Sequence, residues 1–150
     1  MEYSQQLELL LKQLEHLLKS ASPQQGSHIL NTVSSYLREY SPFCAEPVSS
    51  IYWIDARHIE GNDYNPNNMA PPEQRLLAHS LLTEGVTQPL VVRRKSEERY
   101  ELVDGFHRHH LCQNNRVLHQ RLGGYVPVVL LREYRGRAEN MACISSKVMV

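Results

Sequence analysis

The residues best placed to do chemistry lie in the stretch YELVDGFHR, residues 100–108. Apolar Leu102 and Val103 run up to Asp104, Gly105 follows at once, and Phe106, His107 and Arg108 then open a segment of helical character. A strand that turns sharply into a helix exposes backbone N–H groups at the helix start, and a guanidinium and an imidazole beside them make a cradle for an anion. Gly105, Phe106, His107 and Arg108 are therefore the candidate phosphate-binding turn of a nucleotide site. Asp104 closes its strand at the carboxyl end, where ligands of α/β sheets tend to sit. Three roles are open to it: holding a ribose hydroxyl, holding a nucleotide-bound Mg²⁺, or capping the helix.

Other chemistry-bearing residues are more dispersed. Glu60, Asn62, Asp63 and Asn65 stand at the start of a long polar stretch, residues 61–73, whose Asn, Asp and Pro content accounts for a loop by turn chemistry alone. Glu60 and Asp104 are the candidate catalytic carboxylates should the protein turn over its nucleotide. His107 and His110 are three apart on a helix, but Cys112 falls on a different face, so no metal site is expected. His109 and His110 read as solvated or packed helix residues. Arg93, Arg94, Arg116, Arg121, Arg132, Arg135 and Arg137 are scattered, the pattern of a solvated surface or at most of a weak nucleic-acid contact.

The elements that must position the turn follow from periodicity. Leucines at 7, 10, 11, 14, 17 and 18 predict an amphipathic helix over residues 4–20. SASPQQGS, residues 20–27, reads as a linker to a second helix over 28–39, with Ile29, Leu30, Val33, Tyr36 and Leu37 along one side. Together they suggest a helical hairpin, residues 1–45, ended by the two prolines of SPFCAEP. VSSIYWID, residues 48–55, reads as a strand. Pro71 and Pro72 open a helix that stops at Gly85. QPLVVRR, 88–94, and the strand over 100–104 form a hairpin; one helix runs from His107 to about Leu122; GGYVPVVLL, 123–131, is a buried strand. A last helix is expected over residues 137–144.

With 150 residues and 41% hydrophobic content the chain can bury one ordinary core. Sixteen basic residues balance sixteen acidic ones, so no global basic field advertises nucleic acid. Three cysteines, Cys44, Cys112 and Cys143, are too few and too scattered for a disulfide framework and read as ordinary thiols of a reducing, cytoplasmic setting. No apolar run approaches the roughly 20 residues that span a bilayer.

TQPLVV, YELVDGFHR and YVPVVLL, in this order, resemble the ParB and sulfiredoxin-like nucleotide-binding superfamily over residues 48–132. NDYNPNNMAPPE followed by EGVTQPLVV and VDGFHRHHL is similar to the IbrB group of regulators, described as acting with a PAPS-reductase-like partner, IbrA. The resemblance implies a small mixed sheet with helices, an α+β fold with α/β character, over residues 46–135. It also implies that Gly105, Phe106, His107 and Arg108 hold nucleotide phosphates, that Thr87, Gln88 and Pro89 line the nucleotide, and that the ligand is ATP or CTP with Mg²⁺. Phe106 fills the position of the sulfiredoxin cysteine and has no nucleophilic atom, so sulfinic-acid repair is not expected. The ParB DNA-binding helices have no counterpart in NMACISSKVMV; residues 136–150 read as a shortened tail, and DNA association is expected to be weak or indirect. The expected function is a nucleotide-binding regulatory module working with a protein partner. The alternatives are a small NTPase or phosphotransferase similar to free-serine kinases, a resemblance that puts an acidic base such as Glu60 on the loop after the first strand, and a pure interaction module whose leucine helix pairs with a partner, a second copy included.

Overall fold

The computed structural model describes residues 2–61, 65 and 68–132. The fold is α+β, and the described residues form five α-helices around a five-stranded mixed sheet. Helices α1 (Glu2–Lys19) and α2 (Pro23–Tyr40) lead the chain. The expected eight-residue linker shrinks to a few residues, because Ser22 starts α2 early. Its hydroxyl accepts from the Gln25 N–H at 3.2 Å, the Gln25 side chain returns to the Ser22 N–H at 3.0 Å, and Pro23 supplies the first helical residue. Neither helix buries a residue fully. Among the described residues no helix is long and apolar enough to cross a membrane.

Across the expected boundary near residue 45, α2 is bonded to the first strand, β1 (Tyr52–Asp55). Asn31 Nδ2 donates to the Trp53 carbonyl at 2.8 Å, and the Trp53 N–H donates to Asn31 Oδ1 at 2.7 Å. β1 is an edge strand, so this one amide side chain satisfies outward-facing backbone groups as a further strand would. Trp53 lies opposite Pro127. With the Trp53 polar groups turned outward, the missing N–H of Pro127 leaves no gap between the two strands.

The sheet order is β1, β5 (Tyr125–Leu131), β3 (Leu90–Ser96), β4 (Arg99–Asp104), β2 (Ile59–Glu60). β5 runs antiparallel to β1 and parallel to β3; β3 and β4 form the expected hairpin; β2 adds in parallel to β4. β2 has too short a pattern to be read from sequence. The expected strand over 48–55 keeps only its second half, since Pro47–Ser49 form a 3-10 turn. β5 is central and buried on both faces along Val126, Pro127, Val128 and Val129, as its continuous apolar run requires.

Helix α3 (Pro71–Glu84) begins at the expected prolines and ends at Gly85 with φ +84°. The single helix expected from His107 is two, α4 (Phe106–Asn114) and α5 (Arg116–Leu122), because Asn115 both ends the first and caps the second. Its N–H donates to the Leu111 carbonyl at 2.8 Å while its Oδ1 accepts from the Leu118 N–H at 3.1 Å. Arg121 ties α5 to α3 by donating to the Leu81 and Leu82 carbonyls at 2.7 and 2.9 Å, and Arg132 donates to the Cys44 carbonyl at 2.8 Å. Two of the scattered arginines thus serve the fold. The core joins Leu90, Val92, Tyr100, Leu102, Val126 and Val128 of the sheet to Cys112 of α4. Cys112 is buried and free, and burial pushes its thiol pKa up. Cys44 is buried as well. The helix expected over 137–144 and the tail lie outside the described residues.

Candidate functional site

The turn after β4 has the shape the sequence implied. Gly105 is buried, lies in the left-handed region at φ +96°, ψ +29°, and is the N-cap of α4 without a side chain to cap it. A Cβ there would stand 2.6 Å from Leu90 Cδ2 and 3.1 Å from Arg108 Nη2, so glycine is required both by its φ and by the side chains closing over it. Asp104 is exposed, and its Oδ1 accepts the Gly105 N–H at 2.9 Å. It therefore sits one residue outside the cap position and bonds the cap's own N–H, in place of capping the helix interior.

Arg108 lies half-buried over this turn. Its Nη1 donates to Gln88 Oε1 at 2.8 Å, joining the residue 87–89 segment before β3 to the start of α4. Its Nε is buried and has no hydrogen-bond partner among the described residues. A buried guanidinium N–H left unmet is costly and is what an anionic oxygen would satisfy. Phe106 packs partly against the core, and His107 is half-buried at the same helix start. Thr87 is exposed and Pro89 half-buried, flanking Gln88 on the approach to Leu90. The structure thus gathers Gln88, Asp104, Gly105 and Arg108, with Thr87, Pro89, Phe106 and His107 adjoining them in the chain.

Glu60 is not brought to this group. It ends β2 opposite Glu101, three residues before Asp104 and so about 10 Å away along the strand. Its carboxylate takes Lys95 Nζ at 3.1 Å and Arg99 Nη1 at 3.2 Å, at the hairpin end of the sheet. The parallel pairing of β2 with β4 decides this, and a two-residue strand carries no pattern that announces it. Gly61, by contrast, approaches the helix start: a Cβ on it would lie 3.5 Å from Leu102, 3.8 Å from Phe106 and 3.9 Å from His109. Asn62 and Asp63 lie outside the described residues.

His109 has a role the sequence did not disclose. It is buried, and its Nε2 meets the Ala56 carbonyl at 3.2 Å, where Gln113 Nε2 also donates at 3.2 Å. Because a carbonyl only accepts, Nε2 carries the proton. Burial holds the imidazole pKa below its ordinary 6.5. His109 and Gln113, four apart, together clamp α4 to the 3-10 turn Ala56–His58 that follows β1. His110 instead faces Asn114, its Nδ1 lying 3.1 Å from the amide nitrogen.

Comparison with known proteins places these segments in one family. Residues 45–142 match the family model described as the ParB N-terminal domain. The chain is 38% identical over 128 residues to the uncharacterized protein YbdM of Escherichia coli K12, an alignment covering 85% of this chain and 61% of YbdM. The chain thus spans about three fifths of that relative's length. Among solved structures it is similar to C-terminally truncated ParB from Caulobacter crescentus complexed with CTP-γ-S (19% identity, 67% of this chain and 51% of that one, TM-score 0.43). It is also similar to sulfiredoxin from Arabidopsis thaliana (18% identity, 61% of this chain and 92% of that one, TM-score 0.42). With more than half of its length matched by the family model, and the matched span running through the turn at Gly105, the chain belongs to the ParB N-terminal domain family.

Proposed function

We propose that this protein is a cytoplasmic nucleotide-binding regulatory module whose phosphate site is the turn Gly105–Arg108. The observation that carries the reading is Arg108: its guanidinium is oriented by Gln88, folded over a glycine-led helix start, and left with one buried N–H unmet by any described residue. A phosphate oxygen supplies the missing acceptor, and the helix start adds its own N–H dipoles. The fit extends to the other residues. Gln88 and Arg108 would hold phosphate, Thr87 and Pro89 would flank the nucleotide, and the exposed carboxylate of Asp104 would meet the ribose or the Mg²⁺ that accompanies the phosphates. ATP and CTP are the nucleotides the family resemblance implies. The IbrB resemblance further supports control of gene expression through a PAPS-reductase-like protein partner, with DNA reached weakly or through that partner.

Isothermal titration of the chain with CTP and ATP, with and without Mg²⁺, tests this reading. Saturable binding is expected, and no heat at millimolar nucleotide overturns it. Arg108→Ala should weaken binding by about 1.5–3 kcal/mol, the scale of a charge-assisted hydrogen bond. The exposed Asp104 carboxylate beside the turn also supports a second reading, a phosphotransferase or NTPase using Asp104 as base. Phosphate release that is abolished by Asp104→Asn would favour it. Release unaffected by both Asp104→Asn and Glu60→Gln would remove both carboxylates from the chemistry.

A further inference from the structure

We propose that the cleft between α2 and the sheet is a second binding site, for a small carboxylate carried on an apolar body. The cleft holds about 320 Å³ and is separate from the turn at Gly105. Leu90, at the start of β3, touches that turn; Arg94, on the rim of the cleft, lies four residues further along the strand, about 13 Å away.

The floor is apolar. Tyr52 and Ile54 of β1 and Val128 and Leu130 of β5 project from one face, since side chains alternate along strands and Tyr52 pairs with Val128. The facing wall is polar: His28, Asn31, Thr32 and Ser35 line the cleft at the i, i+3, i+4, i+7 positions of α2. Of the apolar residues of this helix, Leu30, Tyr36 and Leu37 are exposed at 42%, 64% and 65%, while Ile29 and Val33 are half-buried. Its orientation is set by hydrogen bonds, the Asn31 pair with Trp53 and the Ser50 hydroxyl donating to the Ser34 carbonyl at 3.2 Å. Polar fixation of this kind holds the wall in place whether or not the cleft is filled, so the space is built in advance of any occupant.

The charge at the rim selects the ligand. Arg94 lies with its guanidinium 5.6 Å from the Tyr100 ring centroid and donates to the Tyr100 hydroxyl at 3.3 Å, which orients its remaining N–H groups. A planar guanidinium fork matches a carboxylate in two parallel bonds, while the aliphatic and aromatic floor receives a ring or short alkyl chain.

Nuclear magnetic resonance titration of the full chain with benzoate and hexanoate tests the proposal. Chemical shift changes are expected at the backbone amides of Tyr52, Ile54, Arg94, Val128 and Leu130. Arg94→Gln, at an exposed position, should weaken binding by about tenfold or more. Ser35→Phe, on a different element, should fill the cleft and abolish the shifts. Benzyl alcohol and inorganic phosphate, each lacking one half of the recognition, should bind much more weakly than benzoate. The proposal fails if no shifts arise up to about 20 mM ligand, a range reaching beyond millimolar affinity. It fails equally if both variants leave the titration unchanged, if phosphate matches benzoate, or if the shifts centre on Gln88 and Arg108. Because the probes contain no nucleotide, their failure leaves the nucleotide reading untouched.

Discussion

At Gly105 conformation and packing act on one atom. Any other residue must adopt φ +96° with a Cβ 2.6 Å from Leu90 Cδ2, and Leu90 is only 1% exposed, so it has little room to yield. Gly105→Ala should therefore destabilise the fold by roughly 1–3 kcal/mol, combining left-handed strain with overpacking. Urea unfolding measures this, and a loss below about 0.5 kcal/mol would mean that the turn relaxes freely. The new methyl also crowds Arg108 Nη2, so nucleotide affinity should fall beside stability. His109 makes a separate prediction. Its folded pKa lies below 6.5 because burial disfavours the imidazolium. As pH falls the unfolded chain takes up the proton first, so this contribution to stability is complete above 6.5 and is lost progressively below it, down through the lowered folded pKa. His109→Gln, which keeps a donor for the Ala56 carbonyl, should flatten that slope. An unchanged slope in urea midpoints from about pH 8 to pH 5 would assign the pH dependence to other groups.

Among the elements, α2 shows how a side-chain bond can outrank an apolar pattern. Its Ile29, Leu30, Val33, Tyr36 and Leu37 are spaced as a buried side, yet three of them face solvent, because Asn31 completes the edge of β1 and thereby sets the helix's rotation. Asn31→Ala should cost about 1–3 kcal/mol, the penalty for leaving partly buried Trp53 backbone groups unmet, and should speed hydrogen exchange at the Trp53 amide. Protection unchanged in the variant would show that another group closes the edge. Where pattern and pairing agree, the elements were legible from sequence. The β3–β4 hairpin, β5 and α3 follow from alternation, a continuous apolar run and the Pro71/Gly85 punctuation. The misses share a cause. β2, the break at Asn115 and the early start at Ser22 depend on two-residue pairings or single side-chain bonds, which leave no periodicity. The same holds within the candidate site: Gly105 and Arg108 were visible as a motif, whereas the separation of Glu60 from Asp104 required the β2–β4 register.

For the molecule as a whole, the unsettled surface is α1. Leu7, Leu9, Leu10, Leu11 and Leu17 are each 51–61% exposed, and the helix buries none of its 18 residues. A helix of this length is only marginally stable in water by itself, and leucines left in solvent forgo roughly 1.5–3 kcal/mol each. The economical way to hold it folded is to cover that stripe with a second copy of the chain. The net charges suit an antiparallel pair, with Glu2 and Glu8 in the first half of the helix and Lys12, Lys19 and Glu15 in the second, where Glu15 already pairs with Lys19 at 3.0 Å and leaves one net positive charge. Removing residues 2–19 tests this without disturbing Asn31 or the edge of β1, which a longer deletion would expose. Sedimentation should then show the full chain as a dimer and the shortened one as a monomer. Nucleotide titration of both would separate assembly from ligand binding, because the Gln88–Arg108 pair joins the segment before β3 to α4 and should survive the loss of α1. The same oligomeric state for the two proteins would end the case for a helix-driven dimer and leave the stripe to a different protein partner.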